Sequence, residues 1–508
     1  MNFLLKILKS VNLSIKKPIF LGWLCLLVFI SSSFDFKEDH KSMRKVEKVI
    51  NEIRQDNALK NSNIGFYAVN LTKNKIIANV NSLINFTPAS TLKILIVATA
   101  LEMLGEDFKF ETKLQYDGEI DSKGVLHGNI YILGGGDPAL GSSNFDESCS
   151  NPHIIDTWVG AIKDIGIKKI EGSIIADISI YPDISEGIGS WAWGDIANYY
   201  GTFCSALSIF DNTYLIHFDS SDYHEKHPKI VEISPSLPKE ININNCVTFS
   251  DTDSSYACIY GSPFGGERTI KGTISRGKKD FIIKGAIPNP PYFTVYTIQN
   301  ALENSGIEVM GKPTVVNSNV CEYDSKKRTL IHTIVSPPMK DIVRILNNNS
   351  VNLYAEHLLI HIGLLSLGKA TTNDGLIAMK NFWINHGIDL SNVLLKDASG
   401  LFRQNAITPQ KLIEILIYMK NSKNWNGFYN SFPMAGKEGN VASCFASQKI
   451  NGNLKVKSGG MSAVRGFVGY CKNSNKDDIA FDIIINNHNL KLFDIVKKIE
   501  TILEAIIN

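Results

Sequence analysis

The stretch of sequence that decides the fold runs from Pro88 to Gly105 and reads PASTLKILIVATALEMLG. Proline near the start and glycine at the end are typical helix boundaries, and the residues between them predict a strongly apolar helix. Ser90 and Lys93 open this helix. Because they are three residues apart, their side chains lie on the same helix face and can touch.

This Ser/Lys pair has the chemistry of an activated nucleophile. A serine hydroxyl is a weak nucleophile near neutral pH and needs an adjacent base, and lysine is a base only when burial and nearby cations lower its pKa. The apolar turn Ile94 to Val97 and a second cation, Lys457, would supply both conditions. Alone, the pair is more typical of a helix cap followed by a solvated lysine. The spacing Ser-x-x-Lys begins at Ser14, Ser42, Ser90, Ser236, Ser275 and Ser366, but only at Ser90 does it open a long apolar helix.

Two further motifs follow in order, Ser350-x-Asn352 and Lys457-Ser458-Gly459. Each alone has an ordinary structural interpretation, a helix cap for the first and a surface strand end for the second. Glycines after the lysine would let backbone N–H groups approach an oxyanion. The ordered set, on a helix start, a loop-to-helix junction and a strand, is the arrangement known for penicillin-binding proteins and related β-lactamases, and it favours a catalytic site.

The apolar pattern also predicts the organisation of the chain. An amphipathic helix and a strand hairpin precede Ser90, helical periodicity returns after Pro288, and the chain ends with two strands and a helix. The middle contains short strand-like runs between Gly-, Ser- and Asn-rich turns. We expect an α/β (α+β) fold, with a catalytic domain formed by residues 39–110 and 285–508 and a β-rich insertion of one or two subdomains formed by residues 111–284.

The N-terminus has the pattern of a secretory signal. Four lysines precede an apolar run from Ile19 to Ile30, which three serines follow. This run is shorter than the roughly 20 apolar residues that span a membrane. Residues 1–33 are therefore predicted to be a signal peptide, although Trp23 and the flanking lysines would also suit a retained membrane anchor. Both alternatives predict export to the periplasm or cell envelope.

Charge and cysteine content exclude two classes of partner. The formal charge is +2, from 52 basic and 50 acidic residues, and no basic stripe is present, so nucleic acid is not expected as a partner. The eight cysteines include no CxxC or Cys/His cluster with metal-ligand spacing, so neither a metal nor another cofactor is implied. Cys246 and Cys258 are either neighbours across a hairpin or, more commonly for such residues, buried free thiols.

The motifs resemble those of the D-alanyl-D-alanine carboxypeptidase/endopeptidase family, the class C low-molecular-mass penicillin-binding proteins. The 260 positions from Ser90 to Ser350 match the habit of that family of inserting domains between the first two motifs. The resemblance implies a penicillin-binding transpeptidase or β-lactamase-like catalytic domain. Further similar segments are Pro88–Lys93, Leu133–Leu140, Trp191–Asn212 with Tyr199-Tyr200-Gly201, Asp397–Leu401 with Asn405, and Gly436–Asn440.

The resemblance also implies roles in catalysis. Ser90 would be acylated with Lys93 as its general base, Ser350 would relay a proton with Lys93, and Asn352 would bind the substrate amide. The implied substrates are stem peptides and cross-links of peptidoglycan, with β-lactams as covalent inhibitors.

The third motif would bind the end of the substrate. The resemblance implies that Lys457 adds positive potential and that Ser458, Gly459 and Gly460 bind the substrate. Ser458 would contact the terminal carboxylate, and backbone N–H groups of Ser90 and Gly460 would form the oxyanion hole. Ser458 replaces the usual threonine and keeps the hydroxyl. Gly460 replaces a usual hydroxyl residue, which removes one carboxylate contact.

Two alternative functions share these motifs. A serine β-lactamase is disfavoured because the chain is long, the insertion is large, and Val351 occupies a position where many class A enzymes have aspartate. A catalytically silent wall-binding scaffold is favoured by Gly460, but a silent relative need not retain the five motif residues. Outside the motifs, Asp397 is expected to be structural, and Trp191 and Trp193 are expected to be buried aromatics rather than glycan-stacking ones.

Overall fold

The structure is a computed structural model that describes residues 36–145, 153–181, 189–222, 225–252, 256–317, 327–445 and 447–508. The predicted signal or anchor, residues 1–33, lies outside these residues. Within the described residues, no helix combines the length and apolarity that crossing a membrane requires.

The helices follow the predicted pattern closely. The amphipathic segment before Ser90, the apolar segment after it, the segments after Pro288 and the C-terminal segment all form helices, several of which have proline or threonine in the first turn. The helices are α1 (His40–Ile53), α2 (Lys93–Leu104), α3 (Ile154–Asp164), α4 (Trp193–Ile196), α5 (Pro290–Asn304), α6 (Met339–Asn349), α7 (Asn352–Leu367), α8 (Thr372–Asn385), α9 (Pro409–Lys420), α10 (Trp425–Ser431) and α11 (Leu492–Ile507).

The strands occur at both ends of the chain and throughout its middle. They are β1 (Lys37–Glu38), β2 (Asn63–Asn70), β3 (Lys75–Val80), β4 (Glu111–Tyr116), β5 (Glu119–Ile120), β6 (Val125–His127), β7 (Ile130–Leu133), β8 (Lys169–Ile170), β9 (Ile174–Asp177), β10 (Thr213–Asp219), β11 (Lys229–Ser234), β12 (Asn242–Ser250), β13 (Tyr256–Gly261), β14 (Glu267–Ser275), β15 (Phe281–Ala286), β16 (Glu308–Val309), β17 (Thr314–Val316), β18 (Thr329–Val335), β19 (Lys455–Met461), β20 (Val464–Lys472) and β21 (Asp478–Asn486).

A six-stranded sheet unites the two ends of the chain, in the order β1-β3-β2-β21-β20-β19. Successive side chains of its central strands point alternately to the two faces of the sheet, and both faces are buried. On β2, Phe66 and Ala68 pack into the core with α1 and α11, whereas Tyr67 and Val69 pack into the core around α2, α7 and α9. The sheet is therefore a layer between two sets of helices, and β19, which carries the third motif, is its edge strand.

The inserted segment forms four smaller sheets. Their orders are β17-β9-β7-β4-β18, β16-β8-β6-β5, β11-β10-β15 and β12-β14-β13. Three of their strands, β16 to β18, lie after residue 284, and Phe293 and Val295 of α5 belong to the same hydrophobic core as Ile174 of β9. We therefore place the end of the inserted segment near Val335 rather than at residue 284. The helical periodicity of α5 resembles that of the catalytic helices, so the sequence did not separate them.

The two cysteines proposed as hairpin neighbours are not adjacent. Cys246 on β12 and Cys258 on β13 both pair with Lys271, because β14 lies between their strands. Both are free and only partly buried.

Helix α7, which begins with the Asn352 of the second motif, is held by an unusually close contact with α8. A Cβ atom added at Gly375 would lie 2.2 Å from the Leu359 carbonyl oxygen, and one at Gly363 would lie 2.7 Å from the Gly375 nitrogen. Both distances are too short for real Cβ contacts. The two glycines therefore let the helix backbones approach each other and fix the position of α7.

We predict that Gly375→Ala lowers the thermal unfolding midpoint. Alanine is favoured over glycine within a helix by about 1 kcal/mol, but the backbone clash with Leu359 cannot be relieved by a side-chain movement, so the helices must separate. Gly160→Ala in α3 is the matched control, because open space surrounds the added methyl group. It should leave the midpoint unchanged or raise it. Equal stabilisation by both variants in differential scanning calorimetry would contradict the packing argument.

Candidate active site

Ser90 lies in a short 3-10 helix, Ala89–Leu92, that runs directly into α2. This first turn is tight, and Ala89 has a φ of 48°, in the left-handed region that L residues rarely adopt. A Cβ atom at Gly400 would lie 1.9 Å from the Ala89 carbonyl oxygen. The loop around Gly400 thus packs directly on the turn, and Ser90 is half-buried at the edge of a cleft.

Lys93 is fully buried beneath Ser90, and its amine has three oxygen neighbours. The Nζ atom lies 2.9 Å from Ser90 Oγ, 2.6 Å from Asn352 Oδ1 and 2.6 Å from the Ser399 backbone oxygen. The predicted Ser/Lys contact is therefore present, and the lysine also bridges the first motif to the second.

The three oxygen neighbours suit a charged amine, and they also suit a neutral one. The Asn352 amide oxygen and the Ser399 carbonyl oxygen can only accept hydrogen bonds, so they take the two N–H groups of a neutral amine. The amide of Asn352 is fixed in this orientation because its Nδ2 donates to the Tyr200 carbonyl oxygen at 2.7 Å. The lone pair of the amine is then free to accept the Ser90 hydroxyl hydrogen.

Burial lowers the pKa of Lys93 to about 7, while the nearby carboxyl groups of Asp397 and Glu356 act in the opposite direction. At neutral pH a substantial fraction of Lys93 is therefore deprotonated. The energetic cost of burying a charged amine, rather than a neighbouring cation, is the main cause.

Ser350 and Lys457 form a second pair in the cleft. Ser350 ends α6 in the left-handed conformation, with a φ of 57°, which turns its side chain toward the edge strand of the catalytic sheet. Lys457 Nζ donates to Ser350 Oγ at 2.8 Å and to the Ser458 backbone oxygen at 2.7 Å. Ser350 thus contacts Lys457, whereas the resemblance had implied a direct partnership with Lys93.

The pKa of the Lys457 amine also differs from its ordinary value. Burial lowers the pKa of Lys457 well below its usual value, and the positive charges of Lys93 and Arg465 lower it further. Two buried amines are therefore each hydrogen-bonded to a serine hydroxyl, and both of these serines line the cleft.

Gly459 allows the third motif to approach the nucleophile. A Cβ atom at this position would lie 2.6 Å from the Pro88 carbonyl oxygen and 2.8 Å from the Thr91 nitrogen. Strand β19 consequently passes directly beside the Ser90 turn, and Gly460 follows it into the cleft. The sequence-predicted residues of all three motifs are thus brought together around one opening.

A loop that starts at Asp397 supports the lysine from below. Asp397 accepts hydrogen bonds from the Trp191 indole at 2.9 Å, the Asn405 amide at 2.7 Å and two backbone N–H groups, so its expected structural role fits its contacts. Trp191 is buried as expected, but Trp193 is 61% exposed, so the expectation of burial was wrong for that residue.

Sequence reasoning missed Glu356, which is fully enclosed by the loop. It accepts hydrogen bonds from the backbone N–H groups of Ala398 and Ser399, at 2.8 Å for the latter, and so orients the Ser399 carbonyl toward Lys93. Burial, together with the Asp397 carboxylate, raises the pKa of Glu356 to about 8. The only sequence signal was its position one turn after Asn352 on α7.

The cleft over Ser90 has a volume of about 470 Å³. An ion pair of Arg403 and Asp195, 3.5 Å apart, lies at its rim. The residues lining it are Ser90, Asp195, Tyr199, Tyr200, Asn349, Ser350, Asn352, Gly400, Leu401, Arg403, Asn440, Gly460, Met461 and Ser462. Its mixed polar and apolar lining and its opening beside the edge strand suit an extended peptide.

The fold and the cleft define a serine acyl-transfer enzyme of the penicillin-binding type. The chain belongs to the D-Ala-D-Ala carboxypeptidase 3 (S13) family, whose model matches residues 46–506. The predicted family, fold class and enzyme class, a serine-type D-Ala-D-Ala carboxypeptidase/endopeptidase, are thereby confirmed.

Individual relatives agree with this assignment. The D-alanyl-D-alanine carboxypeptidase DacB of Haemophilus influenzae is 26% identical over 434 residues, which is 84% of this chain and 86% of the relative. A D-alanyl-D-alanine carboxypeptidase from an Actinomadura species is 22% identical over 88% of this chain and 82% of its own. The crystal structure of penicillin binding protein 4 (dacB) from Haemophilus influenzae superposes with a TM-score of 0.76 and 25% identity, covering 90% of this chain and 99% of that one.

Proposed function

We propose that Ser90 is the nucleophile and Lys93 its general base in a two-step acyl transfer. Ser90 Oγ would attack the carbonyl carbon of the penultimate D-alanine, and its proton would pass to Lys93 Nζ. The peptide C–N bond would then break, the terminal D-alanine would leave with a proton, and water would hydrolyse the ester on Ser90. The observation that carries this proposal is the arrangement of three oxygens around a buried Lys93 amine.

We assign the second proton transfer to Ser350. The leaving amine needs a proton at the moment when the C–N bond breaks, and a hydroxyl hydrogen-bonded to an amine can relay one. Lys457 in its protonated form can replace the proton that Ser350 gives up, since the two are 2.8 Å apart and the lowered pKa of Lys457 makes that form a strong acid. This assignment replaces the relay between Ser350 and Lys93 that the family resemblance implied.

The remaining motif residues would hold the substrate. The Asn352 amide donates a hydrogen bond to the Tyr200 carbonyl oxygen and accepts one from Lys93 Nζ, so it holds the base in place. Asn352 would also border the path of the substrate backbone. We propose that Ser458 contacts the terminal carboxylate and that backbone N–H groups of Ser90 and Gly460 stabilise the oxyanion. Each such N–H donor contributes about 3 to 4 kcal/mol to the transition state.

The same geometry would make β-lactams covalent inhibitors. Their strained amide carbonyl can occupy the position of the D-alanyl carbonyl and acylate Ser90, but the ring leaves no separate amine to depart. A crystal structure of the Haemophilus influenzae penicillin binding protein 4 was determined in complex with a β-lactam. For this chain we propose peptidoglycan stem peptides and their D-alanyl cross-links as substrates.

We further propose that the protein is exported to the periplasm or cell envelope. The support is the basic start and the apolar run from Ile19 to Ile30, together with a substrate that lies outside the cytoplasmic membrane.

The first test is acylation by benzylpenicillin, read as intact protein mass. The wild type should gain one persistent penicilloyl adduct, and Ser90→Ala should gain none because the attacking oxygen is absent. Ser42→Ala is the matched control, since Ser42 and Lys45 repeat the same spacing on the solvated helix α1. It should be acylated like the wild type. An adduct on Ser90→Ala would refute the assignment of the nucleophile.

The second test is the pH dependence of the acylation rate constant. Only deprotonated Lys93 can accept the Ser90 proton, so the rate should rise with pH through a midpoint near 7 and then level off. Asp397→Asn removes the carboxyl group that most strongly favours protonated Lys93, so the midpoint should move to lower pH. A rate that keeps rising toward about pH 10, the ordinary range of lysine, would contradict the lowered pKa on which the role of Lys93 rests.

A further inference from the structure

The hairpin of β19 and β20 places an arginine opposite the position where this chain lacks a hydroxyl. Gly460 pairs directly with Arg465 across the two strands. A Cβ atom at Gly460 would lie 2.6 Å from Arg465 Nη1, which makes the guanidinium the nearest group to that position. The space that a larger residue at 460 would need is therefore occupied by one end of the Arg465 fork.

The face of the hairpin on which this guanidinium lies also carries Ser458. Side chains alternate along a strand, so Ser458 and Gly460 share one face of β19, and the residues that pair with them, Phe467 and Arg465, share the same face of β20. Gly460 lines both the Ser90 cleft and an adjoining cavity of about 470 Å³ that Arg465 lines. The guanidinium is thus next to the predicted carboxylate-binding end of the cleft.

The charge of Arg465 has no anionic partner in the part of the chain that the structure describes. The guanidinium lies 4.8 Å from the centre of the Phe467 ring, and its Nη2 lies 3.7 Å from Cys444 Sγ, while its Nε is buried without a hydrogen-bond acceptor. A half-buried cation without an anion is unfavourable unless a ligand supplies one. Its positive charge also contributes to lowering the pKa of Lys457.

We propose that Arg465 binds the terminal carboxylate of the substrate, and the equivalent carboxylate of β-lactams, in place of the hydroxyl group that Gly460 lacks. The planar guanidinium can give two parallel N–H donors to one carboxylate, which a serine or threonine hydroxyl cannot. Gly460 and Arg465 then form one functional unit, because the guanidinium occupies the space of the missing side chain at 460, beside the cleft that Gly460 lines. This inference rests on the proposed function and specifies how it recognises a free C-terminus.

The test compares acylation by benzylpenicillin with acylation by its methyl ester, in which the carboxylate charge is blocked. Arg465→Gln and Arg465→Ala should slow acylation by benzylpenicillin about 10- to 100-fold, the range of one charge-assisted hydrogen bond, and should change acylation by the ester little. Arg465→Lys should be intermediate, because it keeps the charge and loses the fork. Arg44→Gln on the exposed face of α1 removes one positive charge far from this hairpin and should leave both rates unchanged.

The ratio of the two rates separates a binding role from a structural one. A loss that is equal for benzylpenicillin and its ester, or no loss for either, would overturn the role of Arg465. A variant that unfolds would slow both reactions, so thermal midpoints are measured alongside and Arg465→Lys provides the folded comparison. If Ser90→Ala were still acylated, the proposed function itself would fail, whereas a Ser90 adduct with an unchanged ratio would refute only this inference.

Discussion

The structure depends on one constraint, which is the burial of a lysine amine at a place where its positive charge is costly. Lys93 lies at the base of the cleft, where burial lowers its pKa to about 7 and where two carbonyl-type oxygens take its N–H groups. Ser90, Asn352 and the loop containing Ser399 are all positioned by contacts with this single atom. The amine is thus both the base and the point at which separate segments of the chain meet.

Glycines at several positions let these segments of the chain pack closely enough to reach Lys93. Gly459 brings the edge strand against the Ser90 turn, Gly400 brings the supporting loop against Ala89, and Gly375 fixes the helix that begins with Asn352. Each would place a Cβ atom within 3 Å of backbone if it were another residue. Because the six-stranded sheet joins the two ends of the chain, the large insertion can lie between the first two motifs without disturbing them.

Much of this was predictable from local sequence. The apolar helix after Ser90, the terminal strands and the three ordered motifs all follow from residue spacing, and helices form after Pro288 as the periodicity predicts. What the sequence could not supply was long-range pairing. The contact of Ser350 with Lys457 depends on a left-handed residue at a helix end, the enclosure of Glu356 depends on the loop around Ser399, and the insertion continues to Val335 through strand pairing.

The position of Arg465 illustrates the same limit. From the sequence alone, Arg465 is only a charged residue near a predicted strand. The register of the hairpin is what places it opposite Gly460. The missing hydroxyl at Gly460, read from sequence alone, favoured weaker substrate binding or a silent scaffold. With the guanidinium in that space, the same substitution is compatible with a site that retains a full set of carboxylate contacts.

The most direct measurement of the central claim is a neutron crystal structure of deuterated protein at a pH above 8. It should show two deuterons on Lys93 Nζ, directed at Asn352 Oδ1 and the Ser399 oxygen, and a deuteron on Ser90 Oγ directed at the amine. Burial lowers the pKa of Lys93 to about 7, so the amine is expected to be neutral under these conditions. Three deuterons on Nζ would contradict the account, because a charged Lys93 cannot accept the proton of Ser90.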